Sequence, residues 1–138
     1  MTTKTEKGVT LVELILVVAI AGVIATVAVP ALIKGRQAAN SAVAVGQLRL
    51  MHINQSLFRA QRSRYARLSE LNSFANNAHG QTVGSVLRHK DFTFIMFPAP
   101  TTATLRREFN IIGYRVEDGR VASHYTMSDK GGIDIILP

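Results

Sequence analysis

Few side chains in this sequence are placed to do chemistry, and each raises a different kind. Glu13 is a carboxylate near the start of an otherwise apolar stretch, Val9 to Ile33. Keeping it charged at membrane depth costs about 3 kcal/mol, so it either reaches the interface or meets a cation in an assembled state. Arg59, Arg62, Arg64 and Arg67 cluster with Phe58 and Tyr65 nearby. That combination can neutralise phosphates and stack bases. A solvated helix end, pairing with acids such as Glu117, Asp118 or Asp129 of adjacent copies, is the plainer reading and comes before nucleic-acid binding. Asp129 and Asp134 flank a Gly131-Gly132 turn. His52, His79, His89 and His124 lack metal-ligand spacing and read as surface or satisfied histidines. There is no cysteine, which removes disulfides, thiolate metal sites and cysteine nucleophiles. No phosphate loop or nucleophile elbow is present, so the chain reads as a non-enzyme without a cofactor.

The elements that must position these residues can be read from hydropathy and turn signals. From Leu14 to Ile33 there are 20 residues without a charge, roughly 30 Å as a helix, or one bilayer core. The run is too long for the h-region of a cleaved secretory signal, and small-x-small sites fall inside it rather than after it. It therefore reads as a retained membrane helix. Pro30 predicts a kink, since proline removes one helical hydrogen bond. Beyond it the helix is predicted to continue to about Ser63, roughly 55 residues in all. Val43, Gly46, Leu50, Ile53 and Leu57 form a stripe at three- and four-residue spacing, predicted to lie against a sheet. Ser69 to Gly80 reads as a polar turn or short helix, and 81–89 is ambiguous. Phe92 to Phe97, Phe109 to Val116, Arg120 to Met127 and Ile133 to Leu137 read as strands, with Asp118-Gly119 as a hairpin turn. A three- or four-stranded antiparallel meander is expected.

Composition agrees with one anchored domain. The chain has 138 residues, 47% of them hydrophobic and only 18% charged. A chain this apolar is not disordered throughout. The formal charge of +7 is unevenly distributed. Between Leu14 and Ser69 there is no acid, only Lys34, Arg36, Arg49 and the four clustered arginines. Lys4 and Lys7 before the apolar run and Lys34 and Arg36 after it leave the orientation open by charge counting.

Gly8-Val9-Thr10-Leu11-Val12-Glu13 and the apolar helix that follows, through Gly22 to Val29-Pro30, resemble the signature of type IV pilins and type II secretion pseudopilins. Val9 stands where that family usually has Phe. The resemblance implies an α+β pilin fold: a long N-terminal helix, membrane-spanning in its first half and packed by its second half on a small antiparallel sheet. It implies a leader over 1–8, a membrane and assembly helix over 9–33, and a helix-plus-sheet head over 34–138. A prepilin peptidase would cut between Gly8 and Val9 and methylate the Val9 amine. Removing 1–8 takes away two lysines and one glutamate, lowering the charge from +7 to +6.

Glu13 would pair with the Val9 amine of a neighbouring copy and set the register. The helix would break between Gly22 and Pro30 in the assembled state. The implied partners are a homo-oligomeric filament, an inner-membrane assembly platform with its cytoplasmic ATPase, and a secretin channel. The implied location is the inner membrane, N-terminus inside, then a periplasmic pseudopilus or cell-surface pilus. Secretion pseudopilins can hold calcium in an acidic C-terminal loop, which would use Asp129 and Asp134; two carboxylates are few for a cation taking six to eight oxygens. A minor, tip-located module binding a ligand or DNA is the alternative function.

Overall fold

The computed structural model describes residues 8–137. Residues 1–7 of the expected leader lie outside the described residues. Helix α1 spans Leu11–Arg62, α2 spans Leu68–Phe74, and a 3-10 turn covers Thr104–Arg106. The strands are β1 (Gln81–Val83), β2 (Val86–His89), β3 (Phe92–Met96), β4 (Asn110–Glu117), β5 (Arg120–Ser128) and β6 (Ile133–Leu137). They form one antiparallel sheet in the order β1 to β6. This is the α+β arrangement expected. Contacts divide the chain into two units, one through Ala38 and one from Ala39 to Pro138.

In the first unit the helix is apolar and exposed on every side. Its large side chains from Leu11 to Ile33 are all exposed, and its mean hydropathy is sufficient for a membrane span. A surface of this kind needs lipid or protein around it. Pro30 lies inside the helix. It has no N–H to offer the Thr26 carbonyl one turn earlier, yet the helix runs unbroken from Gly22 through Pro30. The break expected there is not a feature of the single chain.

In the second unit the sheet has six strands, not three or four. The additional pair is the ambiguous 81–89 segment, a hairpin turning at Gly84, whose φ is +62°. β1 escaped recognition because all three of its residues are exposed, so it carries no alternation. The Asp118-Gly119 turn forms as expected. Both residues have positive φ, +51° and +73°, as a type I′ hairpin requires. Gly113 faces Phe94 across the β3–β4 pair; a Cβ there would lie 2.6 Å from the Phe94 ring.

The helix face that meets the sheet differs from the predicted one. Ala44, Gln47, Leu48, Met51, Gln55 and Phe58 are buried, whereas Gly46, Leu50, Ile53 and Leu57 are exposed and Val43 is half-buried. The cause is two glutamines, Gln47 and Gln55, that the fold buries. Gln55 is fully buried because its amide grips Ala66 twice, donating to the carbonyl at 2.8 Å and accepting from the N–H at 2.8 Å. Gln47 is buried against His79, donating to Nδ1 at 3.0 Å and to the carbonyl at 3.3 Å. The Asn54 side-chain amide lies 2.9 Å from His79 Nε2 on the other side of the ring. Satisfied polar groups of this kind are cheap to bury.

The rest of the core is Leu87, Phe92, Phe94, Ile111, Tyr125 and Met127 from the strands, with Tyr65, Ala66, Leu68, Leu71, Leu105 and Phe109. The Tyr125 hydroxyl donates to Ser41 Oγ at 2.8 Å.

This face assignment predicts unequal costs for two similar truncations. Met51→Ala should destabilise the head by about 2–4 kcal/mol, whereas Leu57→Ala should change it by less than about 0.5 kcal/mol. Denaturant melts of the two variants would settle the phase of the helix.

Candidate functional site

The N-terminal segment begins outside the helix. Gly8, Val9 and Thr10 are non-helical and exposed, so the Gly8–Val9 bond is accessible to an enzyme. A Cβ added to Gly8 would meet nothing within 4 Å. The fold therefore imposes no glycine there, and any requirement for one comes from whatever binds the segment.

Thr10 caps α1. Its hydroxyl accepts from the Glu13 N–H at 3.2 Å, and its carbonyl accepts from the Leu14 N–H at 3.2 Å. Thr10-x-x-Glu13 is the spacing of a capping box, a signal legible in the sequence but not weighed there. Glu13 thus lies in the first turn, where a carboxylate complements the positive end of the helix dipole.

The clustered arginines are not equivalent. Arg64 forms a bidentate pair with Glu70, at 2.9 Å to Oε2 and 2.6 Å to Oε1. This pair raises the Arg64 pKa. On the other side, the Arg64 bond chiefly draws the Glu70 pKa down to about 2, against a smaller opposing effect of burial. The Arg67 N–H also donates to Glu70 at 2.9 Å. The six-residue separation of Arg64 and Glu70 matches no helical spacing rule, so sequence reading passed over Glu70. Arg59 lies over the Tyr65 ring and donates to its hydroxyl, and Arg64 lies over Phe58. Phe58 and Tyr65 are themselves buried, which removes them as stacking platforms for bases. Arg62 and Arg67 are exposed. Of the acids proposed as partners for adjacent copies, Glu117 pairs with Arg115 in its own strand at 3.1 Å.

Asp129 and Asp134 line one cleft of about 370 Å³ with Glu108. Among the described residues no three acidic or histidine side chains converge tightly enough to hold a metal. His79 is a core residue whose pKa is lowered, first by burial and then by the charge of His89.

Residues 3–29 match the prokaryotic N-terminal methylation motif, the signature of type IV pilins and pseudopilins. No curated protein matches the chain at a significant level.

The Arg64–Glu70 pair predicts a stability change in acid. Glu70 has its pKa lowered in the folded state, so its contribution is present above about pH 4.5 and disappears as pH falls toward 2. The side chains are about one-third exposed, so screening limits the effect to about 1 kcal/mol. Thermal melts between pH 5 and about 2 should show this loss in the wild type and not in Glu70→Gln.

Proposed function

We propose that the chain is a structural subunit of a type IV pilus-like or secretion-pseudopilus filament, anchored in the inner membrane until it assembles. The observation that carries this reading is an exposed, non-helical Gly8-Val9 bond directly before a capped apolar helix, inside the methylation motif. A prepilin peptidase cuts after Gly8, on the cytoplasmic side, and methylates the Val9 amine. An assembly platform with its ATPase then extracts the subunit, and a secretin passes or opposes the growing filament.

In the filament the apolar helix exchanges lipid for the helices of other copies. Lipid and packed side chains are similarly apolar, so transfer between them costs little. Glu13 cannot make this exchange alone. A carboxylate in a dry core is strongly unfavourable until a cation joins it, and the pair then contributes more to register than to stability. The Val9 amine of a neighbouring copy is that cation. Extension of the helix near Gly22 and Pro30 accompanies assembly.

Mass spectrometry of the membrane and filament fractions should find a mature chain starting at methylated Val9. An intact Met1, or a new N-terminus after Ala28, would overturn the reading. Glu13→Ala should be cleaved like the wild type yet yield little or no filament; a normal yield would refute the register role.

A further inference from the structure

The fold gathers basic charge from two segments some 40 positions apart in the chain. The Tyr65 N–H donates to the Leu105 carbonyl at 2.7 Å, which sets the chain around Arg62–Arg67 beside the turn carrying Arg106 and Arg107. Arg59 to Glu70 and Thr104 to Glu108 together hold six arginines and two glutamates. This net +4 is more than half of the chain's formal +7. Arg59, Arg62, Arg67, Arg106 and Arg107 are all exposed, while the remaining member, Arg64, is held by Glu70.

From this convergence we propose that the arginine end of the head binds the phosphate backbone of double-stranded nucleic acid, without sequence preference. Every base in these segments is arginine. Its planar guanidinium matches phosphate oxygens through paired hydrogen bonds, which lysine cannot do. The two nearby aromatics are buried, so single-stranded bases find no stacking surface, and recognition falls on backbone charge alone. A lipid surface is disfavoured because binding there draws on apolar side chains beside the charges. Tyr65, Leu68 and Leu105, the large apolar residues of these segments, are all buried. A second copy is the poorer match among the described residues. Glu117 is held by Arg115, Asp91 and Asp118 lie on separate strand connections, and the acids that do share one cleft, Glu108, Asp129 and Asp134, are three against five exposed arginines.

The test uses the full chain in nonionic detergent, titrated with a short mixed-sequence DNA duplex at several salt concentrations. Wild type should bind this duplex and a scrambled one alike, with affinity falling steeply as salt rises. Arg106→Gln with Arg107→Gln should make the salt slope shallower by about one per arginine removed, and adding Arg62→Gln and Arg67→Gln should abolish binding. The same four positions changed to Lys should retain much of it. Arg88→Gln with Arg120→Gln, exposed bases elsewhere on the head, should leave it unchanged, and thermal melts confirm that each variant is folded. An unchanged salt slope in the four-glutamine variant would overturn the proposal, as would tighter binding of the single strand than of the duplex. Native mass spectrometry in micelles doped with phosphatidylglycerol reads the lipid outcome. Arginine-dependent retention of that lipid, without arginine-dependent duplex binding, would also overturn it.

Discussion

The head is organised around one side chain, Gln55, and its two hydrogen bonds to Ala66. The amide satisfies a backbone donor and acceptor that the chain's exit from α1 would otherwise leave buried and unpaired, at roughly 1–3 kcal/mol each. In doing so it fixes the reversal between Arg62 and Leu68. That reversal places Tyr65 against Phe109 at 4.7 Å between ring centroids and Leu68 in the core. The same placement lets the Tyr65 N–H reach Leu105 and brings Arg64 to Glu70. The surface chemistry of this end of the head therefore depends on a buried, uncharged contact. Gln47 acts in the same way eight residues, or about two turns, earlier in α1's second half. It secures His79, whose N–H in turn donates to Asn72 at 3.1 Å, tying the connection after α2 to the helix.

These glutamines also explain which parts of the structure could be read in advance. Length and hydropathy reveal the apolar half of α1, because nothing but lipid or protein tolerates such a surface. The long strands were equally legible, since β3, β4 and β5 alternate buried and half-buried residues, and Asp118-Gly119 announces its turn. The face of the second half of α1 was not legible. A pattern reader assigns Gln47 and Gln55 to solvent, because their partners, His79 and Ala66, lie 32 and 11 residues away. Once those two are assigned to solvent, the apolar stripe moves onto Leu50, Ile53 and Leu57. The site divides along the same line. Gly8, Val9 and Glu13 are adjacent in sequence and could be named together. Glu70 as the partner of Arg64, and Arg106 and Arg107 beside the helix end, are products of folding.

The two halves of α1 show how one secondary structure serves two kinds of surface. Both satisfy their backbone groups internally, which lets the first half be apolar all round. Only the second half needs a distinct face, and there the sheet supplies the apolar partner. The exposed Leu50, Ile53 and Leu57 then lie outside the head's own core. The intrinsic cost of leaving them in water is modest for scattered residues. It grows for a continuous row on one helix, which is the form an assembly surface takes.

The start of α1 joins the two readings of Glu13. In the single chain it sits in a first turn capped by Thr10, where the free N–H groups of the helix concentrate positive potential. On the proposed processing, a positive α-amino group appears at Val9, beside that same positive end. Alone, this arrangement is unfavourable by a few tenths to about 1 kcal/mol at an exposed terminus. Glu13 offsets it within the chain before any neighbour arrives. On that proposal the helix start tolerates the new charge in the membrane, and the same carboxylate would be in place to meet a second amine when copies align. A neutral residue at position 13 would lose both effects, but at different stages: a small loss at the helix start, and a much larger one once the amine is buried without a partner.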